Sequence, residues 1–171
     1  DFRSIMSVNL VGAARIVAAF GEVLAPGGAA VCISSSAAHM GPSPAEVMPM
    51  LDDPLSENLL PSLQQQLGDA ATPAMAYVLS KKGLIRLCQR SAQPWGQHGL
   101  RIVSLSPGLI ATPQGAGEYR NSPGKMKLFE AIPLGRECTM VEIAGIAEFL
   151  LSDAASYISG VDLLADGGLT A

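Results

Sequence analysis

Two short runs constrain what this chain can fold into. Ala29-Ala30-Val31-Cys32-Ile33 and Arg101-Ile102-Val103-Ser104-Leu105-Ser106 are too short for helices. Turn residues bound them, Pro26-Gly27-Gly28 before the first and Pro107-Gly108 after the second. A continuous run of small and β-branched residues fits a strand buried on both faces. Between the two lies a long helical stretch, about Pro73 to Trp95, with proline in its first turn and Gly96 expected to end it. A second helix, about 2–23, precedes the first run, with Ile5, Val8, Leu10, Ala13, Ile16, Val17 and Phe20 at helical spacing. After the second run come a predicted amphipathic helix, Val141 to Leu151, and a final strand, Val161 to Ala165, closed by Asp166-Gly167-Gly168. Strands alternating with helices imply parallel βαβ units, so the expected class is α/β.

Two segments depart from this alternation. From Gly41 to Thr72 the chain carries Pro42, Pro44, Pro49, Pro54 and Pro61, with amphipathic pieces at Ala45–Leu51 and Leu59–Leu67. A structureless loop of that length is unusual, so 42–72 is expected to be an inserted helical excursion. Residues 109–139 read as irregular, with one helix near Pro123–Ala131. There are no internal repeats and no low-complexity linker, so 1–171 is expected to be a single domain, or part of one.

Composition narrows the function classes. The 171 residues are 49% hydrophobic and 15% charged with 18 Gly, which suits an α/β globule and argues against disorder. A net charge of -4, with no basic stripe, gives no electrostatic footprint for nucleic acid. Read along the sequence, no apolar run reaches the roughly 18 residues a membrane span needs. Cys32, Cys88 and Cys138 are odd in number, far apart and among apolar neighbours, as expected of reduced core residues in a cytoplasmic protein. His39 and His98 have no carboxylate or cysteine at ligand spacing, and no metal is assigned. The sequence begins at Asp1, inside a predicted helix and without a secretory signal, as a chain does whose earlier part lies outside it.

The chemistry concentrates at Tyr77-Val78-Leu79-Ser80-Lys81, where a phenol and an ammonium stand at i and i+4 on one helix face. A cation about 4 Å from the phenol at an effective dielectric near 20 is worth roughly 4 kcal/mol, enough to ease proton exchange near neutral pH. Ser35 stands at the end of the first buried strand, where open parallel sheets place their ligands. Its hydroxyl could donate to a carbonyl oxygen, although Ser34–Ser36 could equally cap a turn. Asn9 is a poor helix former within the first helix, which a surface position would also explain.

Five motifs then occur in order: Val8-Asn9-Leu10-Val11-Gly12, Ile33-Ser34-Ser35-Ser36, Tyr77 to Lys81, Leu105 to Pro113 (LSPGLIATP) and Ser159 to Gly168 (SGVDLLADGG). Together they resemble the short-chain dehydrogenase/reductase family across nearly the whole chain. The resemblance implies a Rossmann-like doubly wound parallel sheet of which this chain is the C-terminal part, the last three strands and their flanking helices. It implies an NAD(P)-dependent oxidoreductase interconverting a secondary alcohol and a ketone, with NAD favoured over NADP.

By that resemblance Tyr77 is the general acid/base. Lys81 assists proton loss from Tyr77 and holds the nicotinamide ribose. Ser35, or Ser36 in an alternative register, polarises the substrate carbonyl, and Asn9 anchors a proton-relay water. Pro107 and Gly108 shape the turn beside the nicotinamide, Ile110 offers backbone contacts to its carboxamide, and Thr112 meets the cofactor near its phosphates.

The departures are also informative. Ser104 stands where the family usually has Asn, and Val78 and Leu79 are bulkier than usual. Ser35 and Tyr77 are 42 positions apart (77−35), where the common pattern has about a dozen. A helical insertion there is similar to the branch holding the bacterial 3α-hydroxysteroid dehydrogenase/carbonyl reductase. The family's Gly-rich phosphate loop and its NAD/NADP-selecting residue would precede residue 1, in roughly 90–100 further residues by ordinary domain size.

Met40, Met48, Met50, Leu51, Leu59, Leu109, Met126, Leu128, Phe129 and Ile132 are expected either to border an apolar substrate pocket or to pack the inserted helices. No Arg cluster marks a carboxylate or phosphate clamp. The expected substrate is therefore an apolar alcohol or ketone, with a hydroxysteroid leading. A competing reading is a non-catalytic assembly protein of the same fold, which the intact Asn-Ser-Tyr-Lys set opposes. Enoyl reductases of the superfamily resemble Tyr with six intervening residues before Lys, against three here. The resemblance also implies a homodimer or homotetramer, formed through the long helices and the last strand.

Overall fold

The computed structural model describes residues 1–113, 115 and 123–171. Its centre is a three-stranded parallel sheet in the order β1 (Ala29–Ile33), β2 (Arg101–Pro107), β3 (Asp162–Ala165). Ala29 pairs with Arg101 and Ile33 with Leu105 across β1 and β2. Ser104 pairs with Asp162 and Pro107 with Ala165 across β2 and β3. The sheet is therefore the α/β arrangement that the strand-helix alternation predicts.

Side chains alternate across β2 and divide the core into two layers. Ile102 packs with Val17, Cys88, Trp95 and Leu100 on one face. Val103 and Leu105 pack with Leu150, Ile143 and Leu163 on the other. Helix α5 (Pro73–Gln97) covers the first face and α7 (Met140–Leu151) the second. Thr72 caps α5 by accepting the Met75 N–H at 3.2 Å. Thr139 and Glu142 form a reciprocal capping box on α7. At the far end of α7, the Arg101 guanidinium donates to the Leu150 and Ser152 carbonyls, satisfying acceptors that a helix terminus leaves open, and also to the Ile158 carbonyl beyond it.

The first helix comprises α1 (Phe2–Met6), a π-helical stretch (Ser7–Gly12) and α2 (Ala13–Val23). By length and composition the span Phe2–Val23, of mean hydropathy 1.5, could cross a membrane, which corrects the reading that no stretch is long and apolar enough. Its Phe2, Met6 and Leu10 are nevertheless buried in a core shared with Leu63 and with Ala76 and Leu79 of α5. The approach is close at Gly83, where a Cβ would lie 2.6 Å from Leu10 Cδ2.

Residues 42–72 hold a 3₁₀ turn (Met48–Asp52), α4 (Leu59–Leu67) and a second 3₁₀ turn (Gly68–Ala70). The expected helix at Ala45–Leu51 is thus a shorter, tighter turn placed later in the chain. Pro49 explains the difference, because it cannot donate the N–H that an α-helix would require. This segment is tied to α5 by Asp52, whose two oxygens accept from Arg86 Nε and Nη2, both at 2.6 Å.

The Arg86 hydrogen bonds hold the Asp52 carboxyl below its ordinary pKa. A carboxyl depressed in the folded state contributes stability above its unfolded pKa and loses it as the pH falls through the folded value. The urea midpoint of the parent is therefore expected to drop relative to that of Asp52→Asn as the pH is lowered below about 4. Equal slopes for the two proteins over that range would contradict the assignment.

Helix α5 continues past Gly96 to Gln97, and the turn falls instead at Gly99, whose φ is 69°. Strand β3 begins at Asp162, one residue later than expected. Helix α6 (Pro123–Glu130) lies where a helix was predicted. Part of the stretch read as irregular, residues 114 and 116–122, lies outside the described residues.

Candidate active site

The C-terminal ends of β1 and β2 converge with the first half of α5. Tyr77 leaves α5 at this end and is 41% exposed. Lys81, one turn on, lies over the Tyr77 ring with Nζ 5.7 Å from the centroid, a cation–π arrangement. Its ammonium also donates to the Ile33 carbonyl at 2.9 Å, joining α5 to the end of β1. Burial lowers the Lys81 pKa from its ordinary value, because a half-buried ammonium loses hydration.

The three serines after β1 have different surroundings. Ser34 is buried and donates through Oγ to the Lys81 carbonyl at 2.8 Å. Ser36 is 5% exposed, and its N–H donates to the Pro107 carbonyl at 2.8 Å. Ser35 is half-buried, and its Oγ accepts the Ala37 N–H at 3.2 Å. Ser35 thus has the accessible hydroxyl, and its proton remains available for another acceptor.

Asn9 lies in the π-helical stretch, where such local widening of a helix often accompanies function. Its Nδ2 donates to Ser80 Oγ at 3.4 Å, and Ser80 Oγ donates to the Tyr77 carbonyl at 2.8 Å. Asn9 therefore reaches the Tyr77–Lys81 turn through Ser80, one residue before Lys81.

The predicted cofactor-side residues line the end of β2. Pro107 is its last, buried residue. A Cβ on Gly108 would stand 2.7 Å from Asp166 Cα, so glycine here lets the two strand ends close together. Burial works against ionisation of Asp166. Hydrogen bonds from the Thr170 hydroxyl and from the Gly168 and Thr170 N–H groups outweigh it, leaving the pKa below the ordinary value.

Ile110 forms a parallel bridge with Cys138: the Ala111 N–H donates to the Cys138 carbonyl and the Cys138 N–H to the Leu109 carbonyl, both at 2.9 Å. The Ile110 N–H and C=O consequently point to the opposite side. Thr112 Oγ1 accepts the Gly115 N–H at 2.9 Å.

Several of the residues expected to border a pocket or to pack the inserted helices lie in the core. Leu51 and Leu59 are buried in the core beneath α1, and Met48 and Met50 pack against it. They pack the 42–72 segment against the first helix and α5, the second of the two expected arrangements. Met40 and Met126 remain exposed. Leu109 and Ile132 line a cavity of about 220 Å³ with Leu134, Ala165 and Gly167.

Other contacts escaped the sequence reading. Buried Lys82 donates to the Ala38 carbonyl, and His39 Nε2 lies 2.8 Å from Asp162 Oδ2, although 123 positions separate His39 and Asp162. Arg136 forms two hydrogen bonds to Glu142, at 2.7 and 2.9 Å. The i to i+6 spacing of Arg136 and Glu142 was a possible local signal; no sequence spacing marks the other two.

Comparison with known proteins agrees with this architecture. Residues 62–170 match the family profile described as Enoyl-(Acyl carrier protein) reductase. The chain is 33% identical over 98% of its length to the short-chain dehydrogenase/reductase bsc3 of Alternaria brassicicola, covering 62% of that protein. It is 32% identical over 98% of its length to the 3-alpha-hydroxysteroid dehydrogenase/carbonyl reductase of Comamonas testosteroni, covering 66% of it. Among solved structures, the 3-alpha-hydroxysteroid dehydrogenase from Pseudomonas sp. B-0831 complexed with NADH superposes with a TM-score of 0.72 at 28% identity, over 95% of this chain and 64% of the other. The chain thus spans less than two thirds of the length of these relatives. With the sheet order, the family profile and the relatives in agreement, the chain belongs to the short-chain dehydrogenase/reductase family.

Proposed function

We propose that this protein is a nicotinamide-dependent oxidoreductase interconverting an apolar secondary alcohol and its ketone, with a hydroxysteroid as the leading substrate. The observation that carries the reading is Lys81 over the ring of a half-exposed Tyr77 and bonded to the Ile33 carbonyl, two residues before the accessible Ser35 hydroxyl. Three residues between Tyr77 and Lys81 support carbonyl chemistry over enoyl reduction. Exposed Val8, Ile16 and Phe20 on the first helix suit a homodimer or homotetramer. Free Cys32, Cys88 and Cys138 suit a reducing, cytoplasmic setting.

The residues present fit a nicotinamide cofactor. Lys81 spends one of three ammonium donors on Ile33, leaving two for ribose hydroxyls. The Ile110 N–H and C=O, facing away from Cys138, suit a carboxamide, and the Thr112 hydroxyl and the Pro107-Gly108 turn flank the same end of the sheet. NAD or NADP, with NAD favoured, supplies the hydride acceptor or donor when bound. In the oxidative direction Tyr77 takes the proton of the alcohol hydroxyl, and in the reductive direction it returns it. Lys81 holds its charge over the Tyr77 ring, and Ser35 donates a hydrogen bond to the carbonyl oxygen as negative charge grows there. Asn9 acts behind them, through Ser80, to order a water for the proton's route to solvent.

The test is turnover by nicotinamide absorbance with NAD and NADP against hydroxysteroids, short polar alcohols and an enoyl thioester. Turnover of the steroids is expected. Turnover of the polar alcohols alone would overturn the apolar assignment, and turnover of the enoyl thioester alone would overturn carbonyl chemistry. In the same assay Ser35→Ala is expected to lower kcat about 10²-fold, as loss of one oxyanion donor does. Ser36→Ala should stay within about threefold, since Ser36 is buried. The reverse order would move the role to Ser36.

A further inference from the structure

Ser35 is followed by a helix too short to hold itself. Helix α3 (Ala37–Met40) is four residues long, and isolated helices of that length are unstable in water. Its neighbours therefore have to fix it. On the α5 side, the buried Lys82 ammonium donates to the Ala38 carbonyl. On the sheet side, His39 Nε2 meets Asp162 Oδ2 at 2.8 Å, and Asp162 Oδ1 accepts from Ser106 Oγ at 2.9 Å. The Asp162 side chain is 8% exposed and has both carboxylate oxygens engaged, while the His39 side chain that meets it is 32% exposed.

We propose that His39 is a positioning residue, which fixes the turn bearing Ser35 by tying α3 to β3 through Asp162. Together with the Lys81–Ile33 and Ser34–Lys81 bonds, this contact holds both ends of the Ser35 turn relative to Tyr77. The role rests on the oxidoreductase reading. It belongs to a contact between residues 123 positions apart that carries no substrate atom. A donor at the Nε2 position is all that the tie requires, and glutamine can supply one from a similar reach.

The experiment compares His39→Leu, His39→Gln and Ser106→Ala with the parent protein, by amide hydrogen exchange over residues 34–40 and by steady-state turnover. His39→Leu should raise exchange at Ser36 to Met40 about tenfold and lower kcat about tenfold, with KM within about twofold. His39→Gln should restore most of both effects. Ser106→Ala, which leaves the His39 contact in place, should fall between the parent and His39→Leu.

Exchange in His39→Leu equal to the parent's would overturn the tie. So would a His39→Gln protein no better than His39→Leu. Faster exchange with unchanged kcat would overturn the positioning role. A parent that shows protection at 36–40 but turns over no alcohol or ketone would overturn the oxidoreductase reading and the positioning role with it, while the exchange data would still decide the tie.

Discussion

Tyr77→Phe is expected to lower kcat by about 10²–10⁴-fold, the range that a positioned general acid/base contributes. The substitution removes one hydroxyl from a side chain that is 41% exposed, so the fold should tolerate it with little change in thermal midpoint. The ring beneath Lys81 is retained, so the cation keeps its stacking partner and its bond to Ile33. A large fall in kcat with intact cofactor binding would therefore report the missing proton path alone. A variant that retains more than about a tenth of the parent rate would remove Tyr77 from the chemistry.

The second large effect is one of stability. Leu10 is fully buried in the core shared by the first helix, α4 and α5, flush against Gly83. Leu10→Ala is expected to cost about 2–5 kcal/mol, the transfer term plus the cavity left where the backbone cannot collapse. The urea midpoint should fall with little change in slope. The loss should extend to function, because Asn9 is the neighbouring residue and the π-helical stretch carries both. A cost below about 1 kcal/mol would mean that the first helix is held elsewhere.

Much of the fold is legible in the sequence because its signals are local. The run Ala29–Ile33 forms β1 with those bounds, and Leu59–Leu67 forms α4 with those bounds. Proline at the start of α5 and the double glycine after β3 mark their boundaries, since each fixes or frees a backbone angle on its own. The i to i+4 placement of Tyr77 and Lys81 likewise follows from helix geometry. The structure shows Lys81 over the ring, 5.7 Å from its centroid, and engaged with Ile33.

What the sequence leaves open is what each face meets. Periodicity gives Leu51 and Leu59 a buried side, but whether that side faces a substrate pocket or another helix depends on tertiary packing. Packing turned both toward Met6 and Leu10. The His39–Asp162 and Asn9–Ser80 contacts join residues 123 and 71 positions apart, and no spacing rule reaches that far. Lys82 carries no local sign of burial, yet it is buried and donates to the Ala38 carbonyl of α3. Ser35 and Ser36 are indistinguishable by position alone, and only their exposures separate them.

The proposed reaction moves a hydride between an alcohol carbon and a nicotinamide while Tyr77 handles the proton. The most direct measurement gives the protein a secondary alcohol deuterated at its carbinol carbon and follows the label by NMR. Deuterium is expected to appear on the nicotinamide ring in step with ketone formation, and to be lost in Tyr77→Phe. Ketone formation without label on the nicotinamide, or label transfer undiminished in Tyr77→Phe, would contradict it.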